Sequence, residues 1–245
     1  MDTVKVKTQG IVLDDMRYGD SSKIIRLFTE TLGIVPVMVK GAYLPKSPYV
    51  SLSQPFTEGT FRLTKGNHFF YVREGQINHM PMKLRSSYDK IIAASLMAEV
   101  VLKSLQEEEV NTKSFFLLKK SYRLLEKTFR EDILVCGFLV KLMAFLGFRP
   151  SLDFCIKCRS KVSSLQRYDI SGGVLCSNCF SKTSKILEHG EKTIYYFRKI
   201  LYSSLDQLLE MDIEKDIVRD IINLVLEGLQ YHLEIRNFNS IKLLP

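Results

Sequence analysis

Two pairs of cysteines constrain this chain more than any other feature of its sequence. The pairs are Cys155-x₂-Cys158 and Cys176-x₂-Cys179, and seventeen residues separate them. Each Cys-x-x-Cys turn can direct two sulfur atoms at one ion, and two such turns complete a tetrahedron around Zn²⁺. The spacing predicts a four-thiolate zinc site, with redox-active pairs or buried apolar cysteines as the alternatives. Because four protein ligands leave no open position for a substrate, we expect a structural Zn²⁺.

The sequence has the pattern of a cytoplasmic protein without a membrane span. Its first ten residues, MDTVKVKTQG, lack the apolar segment of a secretory signal. The most apolar run, from Ile133 to Phe148, is interrupted by Lys141 and is shorter than a bilayer requires, so it predicts a buried helix. In the reducing compartment that we expect, paired cysteines bind metal more often than they form disulfides.

The first 80 residues have the pattern of short β-strands. Segments rich in Val, Ile, Phe and Tyr are separated by turn residues such as Gly33 and Gly66-Asn67. Five strands in a segment of this length suit a small barrel of the OB type. The run from Ile34 to Val39 lacks alternation, which predicts a strand covered on both faces. The predicted strands are residues 4–15, 23–29, 33–41, 54–66 and 68–80.

From Ser86 onward the apolar period changes from two residues to about 3.6, the period of a helix. Ser86-Ser87-Tyr88-Asp89 has the form of a capping box, and the third predicted helix, apolar on both faces, is the expected centre of a helical core. The predicted helices run from residue 86 to the acidic turn at 107–109 and over 113–129, 132–146, 191–209 and 213–233. The sequence therefore predicts an α+β chain. Its domains are an OB-type barrel, residues 1–80, and a helical domain, residues 81–245, with a zinc module at residues 151–185.

Charge is distributed unevenly along the chain. Residues 1–190 carry a formal charge of +10, and residues 191–245 carry −2. A positive field favours polyanionic partners, although a basic protein with solvated lysines gives the same count. An OB-type barrel binds single strands by stacking bases on aromatic rings inside a basic groove. The candidate DNA-binding cations are Arg17, Lys23, Arg26, Lys40, Lys46, Arg62 and Lys65, with Tyr18, Tyr43, Tyr49 and Tyr71 as candidate stacking platforms.

The sequence contains no recognisable catalytic motif. It lacks the G-x-x-x-x-G-K-[ST] phosphate loop, the G-x-G-x-x-G dinucleotide loop and the G-x-S-x-G nucleophile elbow. Its cysteine pairs also lack the His-x-Glu and the preceding proline of zinc deaminases. Asp14, Asp15 and Asp20 cluster near a strand end, either as an acidic turn or as the carboxylates of a nuclease. We therefore predict a binding protein and not an enzyme.

Segments distributed over nearly the whole chain carry a family resemblance. In order, they are GIVLDDMRYGDSSKIIRLFTETLG, KGAYLPKS, SQPF, LGFRPSLDFCIKC, GGVLCSNC and GLQYHLEIRNFNSIKLL. This ordered set resembles the bacterial RecO family of recombination mediators. The resemblance implies an amino-terminal OB domain, a helical carboxyl-terminal domain with a zinc-binding module, and no catalytic activity in the usual sense. The residues that match the family's zinc ligands are Cys155, Cys158, Cys176 and Cys179, and Lys40 and Lys46 match its basic OB positions.

The resemblance also implies a function and a set of partners. Proteins of the family bind single- and double-stranded DNA, anneal complementary strands and act with RecR and RecF. They engage single-stranded-DNA-binding protein and help load RecA during DNA repair and homologous recombination, in the bacterial cytoplasm at the nucleoid. Two alternatives stay open: a zinc-stapled adaptor with weak DNA affinity, and a nucleic-acid-processing enzyme.

A further hypothesis concerns the acidic last segment, residues 191–245. Its apolar residues either form a surface for a protein partner or pack inside the helical domain. The residues concerned are Ile194, Phe197, Leu201, Ile217, Ile221 and Leu224.

Overall fold

The segments rich in β-branched and aromatic residues form the strands that the sequence predicts. A computed structural model of the chain describes residues 5–162, 167–179, 185–186 and 190–243. The strands of the first segment are β1 (Lys5–Tyr18), β2 (Ser22–Thr29), β3 (Gly33–Val39), β4 (Glu58–Lys65) and β5 (Phe70–His79).

These five strands close into a barrel in the order β1-β2-β3-β5-β4. The long strand β1 pairs antiparallel with β2 along one half and with β4 along the other, and β3 pairs parallel with β5. Gly10 lies where β1 passes from one partner to the other, opposite both Thr29 and Gly59. A Cβ at Gly10 would lie 2.9 Å from the side chain of Leu27, so a larger residue here would displace that core side chain. The predicted OB-type barrel is confirmed.

The barrel interior is a closed aliphatic and aromatic core. The central strand β3 is buried on both faces, as its lack of alternation predicts. Ile34 of β3 also forms an isolated β-bridge with Glu107, which lies beyond the barrel strands. The Ile34 carbonyl accepts a hydrogen bond of 3.0 Å from the Glu108 amide. The core residues are Val12, Ile25, Leu27, Val35, Val37, Val39, Ala42, Leu52, Phe61, Leu63 and Phe70.

Four helices accompany the barrel: α1 (Tyr49–Leu52), α2 (Met82–Arg85), α3 (Tyr88–Ser104) and α4 (Thr112–Leu125). The predicted capping box at Ser86 is wrong. The N-cap of α3 is Ser87, whose side chain makes no capping bond, while the Ser86 hydroxyl donates to the Lys83 carbonyl at 2.9 Å. Ser86 thus closes the preceding helix, because its hydroxyl bonds backward to a free carbonyl.

The chain divides into two compact units, Met1–Lys127 with Leu243–Pro245, and Thr128–Lys242. The first unit therefore contains α2 to α4 in addition to the barrel. The predicted division into residues 1–80 and 81–245 stays a prediction.

The second unit is built around α5 (Glu131–Phe145), which is buried on all sides over Ile133–Val140. Around it lie α6 (Gly190–Tyr202), α7 (Leu205–Leu209) and α8 (Lys215–Leu233). The sequence predicts one helix over 191–209, whereas the structure divides it at Ser204. Ser204 and Gln207 form a capping box that starts α7. The hydroxyl satisfies the backbone of a new helix and so favours the break.

The cysteine segment adds a small sheet that the sequence analysis did not predict. Its strands β6 (Arg167–Asp169), β7 (Gly173–Val174) and β8 (Lys185–Ile186) pair in the order β7-β6-β8. Ser240–Leu243 forms a final 3₁₀ turn. Across the described ranges, every helix is too short or too polar to span a bilayer.

Candidate metal centre and nucleic-acid interface

The four predicted zinc ligands come together in the second unit. The sulfur atoms of Cys155, Cys158, Cys176 and Cys179 all lie within 4.8 Å of one another. The Sγ atoms of Cys158 and Cys176 are 3.6 Å apart. Four sulfurs at 2.3 Å from one tetrahedral ion would be separated by about 3.8 Å. The cluster therefore fits a single tetrahedral metal ion.

Backbone hydrogen bonds hold each cysteine pair in a tight turn. The Cys155 amide donates to the Ser160 carbonyl, and the Arg159 amide donates back to the Cys155 carbonyl, both at 2.9 Å. Arg159 adopts a left-handed conformation, with φ of 63°, directly after the second cysteine. In the other pair, the Cys179 amide donates to the Cys176 carbonyl at 3.0 Å. These turns bring both sulfurs of each pair to the same side.

The surroundings favour the thiolate form of Cys155 and Cys158 and the protonated form of Cys179. Burial raises the pKa of the Cys155 thiol, but surrounding backbone hydrogen bonds outweigh this effect and lower it to about 6. The Ser160 hydroxyl lowers the pKa of Cys158. In contrast, proton sharing with the sulfurs of Cys158 and Cys176 raises the pKa of Cys179 to about 12. A divalent cation at the centre would compensate these charges and allow all four sulfurs to ionise.

The module that carries the cluster contacts α6 through stacking of Tyr168 with Phe197, with ring centres 6.1 Å apart, and through Arg198. Arg198 donates to the Leu152 carbonyl at 2.7 Å and lies 2.9 Å from a carboxylate oxygen of Asp153. The Ile156 amide donates to the Val174 carbonyl at 3.1 Å, which joins the two cysteine turns. The predicted module limits of 151–185 include residues 163–166 and 180–184, which lie outside the described residues.

Four of the seven predicted DNA-binding cations are engaged in ion pairs. Lys23 is buried and lies 2.7 Å from Asp15, and Arg26 holds Asp14 through two nitrogen–oxygen contacts. The other two pairs join Arg62 to Glu74 at 3.2 Å and Lys65 to Glu108 at 2.6 Å. The carboxylates of these pairs cancel much of the positive charge that would otherwise attract a phosphate.

The remaining three predicted cations, Arg17, Lys40 and Lys46, are exposed, and no carboxylate in the described part of the chain pairs with them. The Lys40 ammonium lies 5.6 Å from the centre of the Tyr71 ring, and the Arg17 guanidinium lies 5.5 Å from that of Tyr43. Both distances are within the range of cation–π attraction. These three cations are therefore the ones available to an anionic ligand.

Lys40 lines a cleft of about 790 Å³ on the barrel surface. The β1–β2 turn, the end of β3 and the β4–β5 loop form its walls. Tyr18 packs edge-on against Phe69, with ring centres 6.4 Å apart, so two predicted platforms and one further ring meet here. The cleft residues include Tyr18, Ser22, Lys40, Asn67, His68, Phe69 and Tyr71.

The predicted platforms differ in their surroundings. Tyr18 and Tyr43 are 51% and 44% exposed, whereas Tyr49 packs against the barrel core and its hydroxyl donates to the Arg73 carbonyl at 3.1 Å. Phe69 was missed because phenylalanine in a small barrel usually belongs to the core. Its position just after the Gly66-Asn67 turn was the signal for a loop residue.

Five of the six apolar residues singled out in the last segment belong to the core, and the sixth, Leu201, is partly exposed. Ile194, Phe197, Ile217, Ile221 and Leu224 are all at most 1% exposed. The hypothesis that these side chains form a partner surface is therefore wrong for these five, because the α5–α8 packing covers them.

Fold and site together define a class: an α+β protein that joins an OB-type barrel to a helical region containing a four-cysteine module. Residues 1–80 match the family model described as "Recombination protein O N terminal", and residues 85–241 match "Recombination protein O C terminal". The chain belongs to the RecO family of DNA repair proteins.

Individual relatives extend over most of the chain. A "DNA repair protein RecO" of Thermoanaerobacter sp. (strain X514) is 27% identical over 234 residues, covering 94% of this chain and 93% of the relative. The protein of the same name from Bacillus pumilus (strain SAFR-032) is 29% identical, covering 89% and 86%. That from Bacillus subtilis (strain 168) is 25% identical, covering 90% and 88%.

Proposed function

We propose that this protein is a DNA-binding recombination mediator that anneals complementary strands without nucleotide hydrolysis. The observation that carries the proposal is the barrel cleft, where Lys40, which has no carboxylate partner in the described residues, lies beside the rings of Tyr18, Phe69 and Tyr71. Such a combination of cations and rings is the chemistry by which OB-type barrels bind single strands.

The mechanism requires binding and no bond-breaking group. Lys40, Lys46 and Arg17 neutralise phosphates and release their counterions, which supplies affinity that is independent of base sequence. The rings accept unstacked bases and so hold the strand open for pairing. Two strands held on one molecule meet at a raised local concentration, which accelerates annealing.

We propose that the cysteine cluster binds a structural Zn²⁺ through Cys155, Cys158, Cys176 and Cys179. When bound, the ion would cross-link the two cysteine turns and add to the stability that the few buried side chains of the module supply. Arg198 would then hold α6 against the ordered module through its contacts with the Leu152 carbonyl and the Asp153 carboxylate.

The family membership supports the remaining parts of the proposal. We expect the protein to bind single- and double-stranded DNA, to act with RecR and RecF, to engage single-stranded-DNA-binding protein, and to help load RecA. We expect these activities in the bacterial cytoplasm at the nucleoid.

The two alternatives fit the site less well. Asp14 and Asp15, two of the three candidate nuclease carboxylates, are paired with Arg26 and Lys23, so a metal ion would have to displace these cations to reach them. A zinc-stapled adaptor with weak DNA affinity does not account for Lys40 and Arg17, which have no carboxylate partner in the described residues and lie beside aromatic rings.

The test is annealing of complementary oligonucleotides without ATP, both naked and coated with single-stranded-DNA-binding protein. We expect acceleration of both, and loss of both in the variant Lys40→Glu with Lys46→Glu. The matched control, Arg62→Glu with Glu74→Arg on the same barrel, should retain activity because it keeps the ion pair and leaves the net charge unchanged. Absence of acceleration by the zinc-loaded protein would favour the adaptor, and Mg²⁺-dependent cleavage of the strands would favour the enzyme.

A further inference from the structure

Helix α6 presents two chemically different faces. Ile194, Phe197 and Ile200 are fully buried and attach the helix to the second unit. On the other side, Tyr195 and Tyr202 are 48% and 65% exposed, and the exposed Lys199 lies between them in the sequence. The spacing of four and three residues places all three on one side of the helix.

Each exposed ring has a cation over it. The Lys199 ammonium lies 4.7 Å from the centre of the Tyr195 ring, and the guanidinium of Arg149, which follows α5, lies 4.8 Å from that of Tyr202. In the described residues, no carboxylate pairs with Arg149 or Lys199. We call Arg149, Tyr195, Lys199 and Tyr202 the α6 outer face.

The first of these rings is held in place before any ligand arrives. Tyr195 packs edge-on against Tyr196, with ring centres 5.2 Å apart and an interplanar angle of 78°. The Tyr196 hydroxyl in turn donates to the Asp212 carbonyl at 3.3 Å. A pre-ordered ring loses less conformational entropy when a ligand stacks on it.

The composition of the α6 outer face selects its partner. Lys192 and Arg198 are paired with Glu214 and Asp153, so the charge that the face offers is that of Arg149 and Lys199, and two cations disfavour a basic ligand. An apolar partner helix would leave two unpaired charges at its interface. Duplex DNA offers phosphates but no base faces to the rings, and an acidic peptide likewise uses only the cations. Single strands use both, because they present phosphates and unstacked bases together.

We propose that the α6 outer face is a second binding surface for single-stranded nucleic acid, distinct from the cleft of the barrel. Tyr195 and Tyr202 are two helical turns apart, about 10.5 Å along the axis, so each ring stacks with a separate base. The inference rests on the proposed function in one respect: annealing needs two strands on one molecule, and this surface supplies the second.

The chain contains no tryptophan, so a single introduced indole reports on one place only. We would prepare full-length, zinc-loaded protein with Tyr202→Trp and titrate it with unlabelled oligothymidylate. The matched control is Tyr231→Trp, at a 56% exposed position on α8. Anisotropy of a labelled oligothymidylate, measured in parallel, reports total binding.

Stacking predicts a saturable loss of at least about half of the indole emission in Tyr202→Trp and little change in the emission of Tyr231→Trp. Adding Arg149→Gln and Lys199→Gln should weaken the quenching titration about tenfold, whereas Arg219→Gln on α8 should not. Quenching should persist when Lys40 and Lys46 are replaced by glutamine.

The other outcomes separate the two proposals. Binding by anisotropy with unchanged indole emission in Tyr202→Trp would overturn the α6 surface and leave the barrel cleft. Quenching that disappears with Lys40 and Lys46 would show that one surface binds, not two. No binding in either titration would overturn both proposals. If an aspartate-rich peptide quenches the indole on α6 while oligothymidylate does not, the face belongs to a protein partner.

Discussion

The ion pairs of the barrel lead to a quantitative prediction about salt. For single strands, each phosphate contact contributes about 0.7 to the slope of log affinity against log salt concentration. Replacing Lys40 and Lys46 by glutamine should therefore make the slope shallower by about 1.4. Both side chains are exposed and lack a carboxylate partner in the described residues, so folding should not be affected.

The same change sets the expected loss of affinity. Two lost contacts reduce binding about 60-fold at about 50 mM salt and about tenfold at about 200 mM salt, because fewer counterions are released. The assay is fluorescence anisotropy of a labelled oligothymidylate with wild type and variant over that salt range. The loss should be equal for oligonucleotides of different sequence, since phosphates carry no sequence information.

The control removes a cation and its partner together, as Arg62→Gln with Glu74→Gln. This pair is already internally neutralised at 3.2 Å, so the slope should stay within about 0.3 of wild type. Equal slopes for wild type and the Lys40, Lys46 variant would refute the argument that these lysines contact phosphates. An equal effect of the control would refute the argument that ion pairing decides which cations bind.

Two other predictions concern stability. Cys155→Ser should abolish the binding of one zinc ion per chain and unfold the cysteine module. Cys136→Ala, at a buried cysteine outside the cluster, should retain the metal. A colorimetric chelator measures the zinc that each protein releases, and circular dichroism measures the unfolding. Glu58→Gln should lower the free energy of unfolding of the first unit by about 3 kcal/mol, because it removes a buried carboxylate that is paired with Lys119 and Arg123 at 2.7 Å. The control Glu74→Gln, at an exposed position, should lower it by about 0.5 kcal/mol. Urea unfolding measures both. Burial raises the pKa of Glu58, but its two cationic partners lower it overall, so its contribution should be present above the ordinary glutamate pKa and be lost as pH falls below it.

Features with a local physical cause could be predicted from the sequence. The five strands follow from alternation and turn residues, and their observed bounds lie within a few residues of the predicted ones except at the start of β4. The all-round burial of α5 over Ile133–Val140 follows from the absence of charged and polar side chains in that stretch. The break between α6 and α7 at Ser204 could also have been predicted, because Ser204-x-x-Gln207 has the form of a capping box. The prediction of one long helix overlooked it.

The cysteine cluster was predictable for a related reason. Two Cys-x-x-Cys turns each prearrange a pair of sulfurs locally, so only one long-range closure remains to bring Cys155 and Cys158 to Cys176 and Cys179. The small sheet around the cluster was not predictable, because strands of two or three residues have no period to detect.

Which charged residues form ion pairs depends on distances between strands, and no local sequence pattern contains those distances. Asp14 stands opposite Arg26, and Arg62 opposite Glu74, only because β1, β2, β4 and β5 pair in one particular register. A shift of one residue would send these side chains to other faces. Likewise Lys65 meets Glu108 across 43 residues of chain.

By itself, the sequence determined the strands of the barrel, most of the long helices and the four cysteines that cluster, because hydrophobic period and cysteine spacing act over a few residues. Only the tertiary structure decided which of seven candidate cations remain free for phosphate and which aromatic rings lie beside them. Coulomb attraction and stacking depend on positions in space, and strand register and helix packing set those positions.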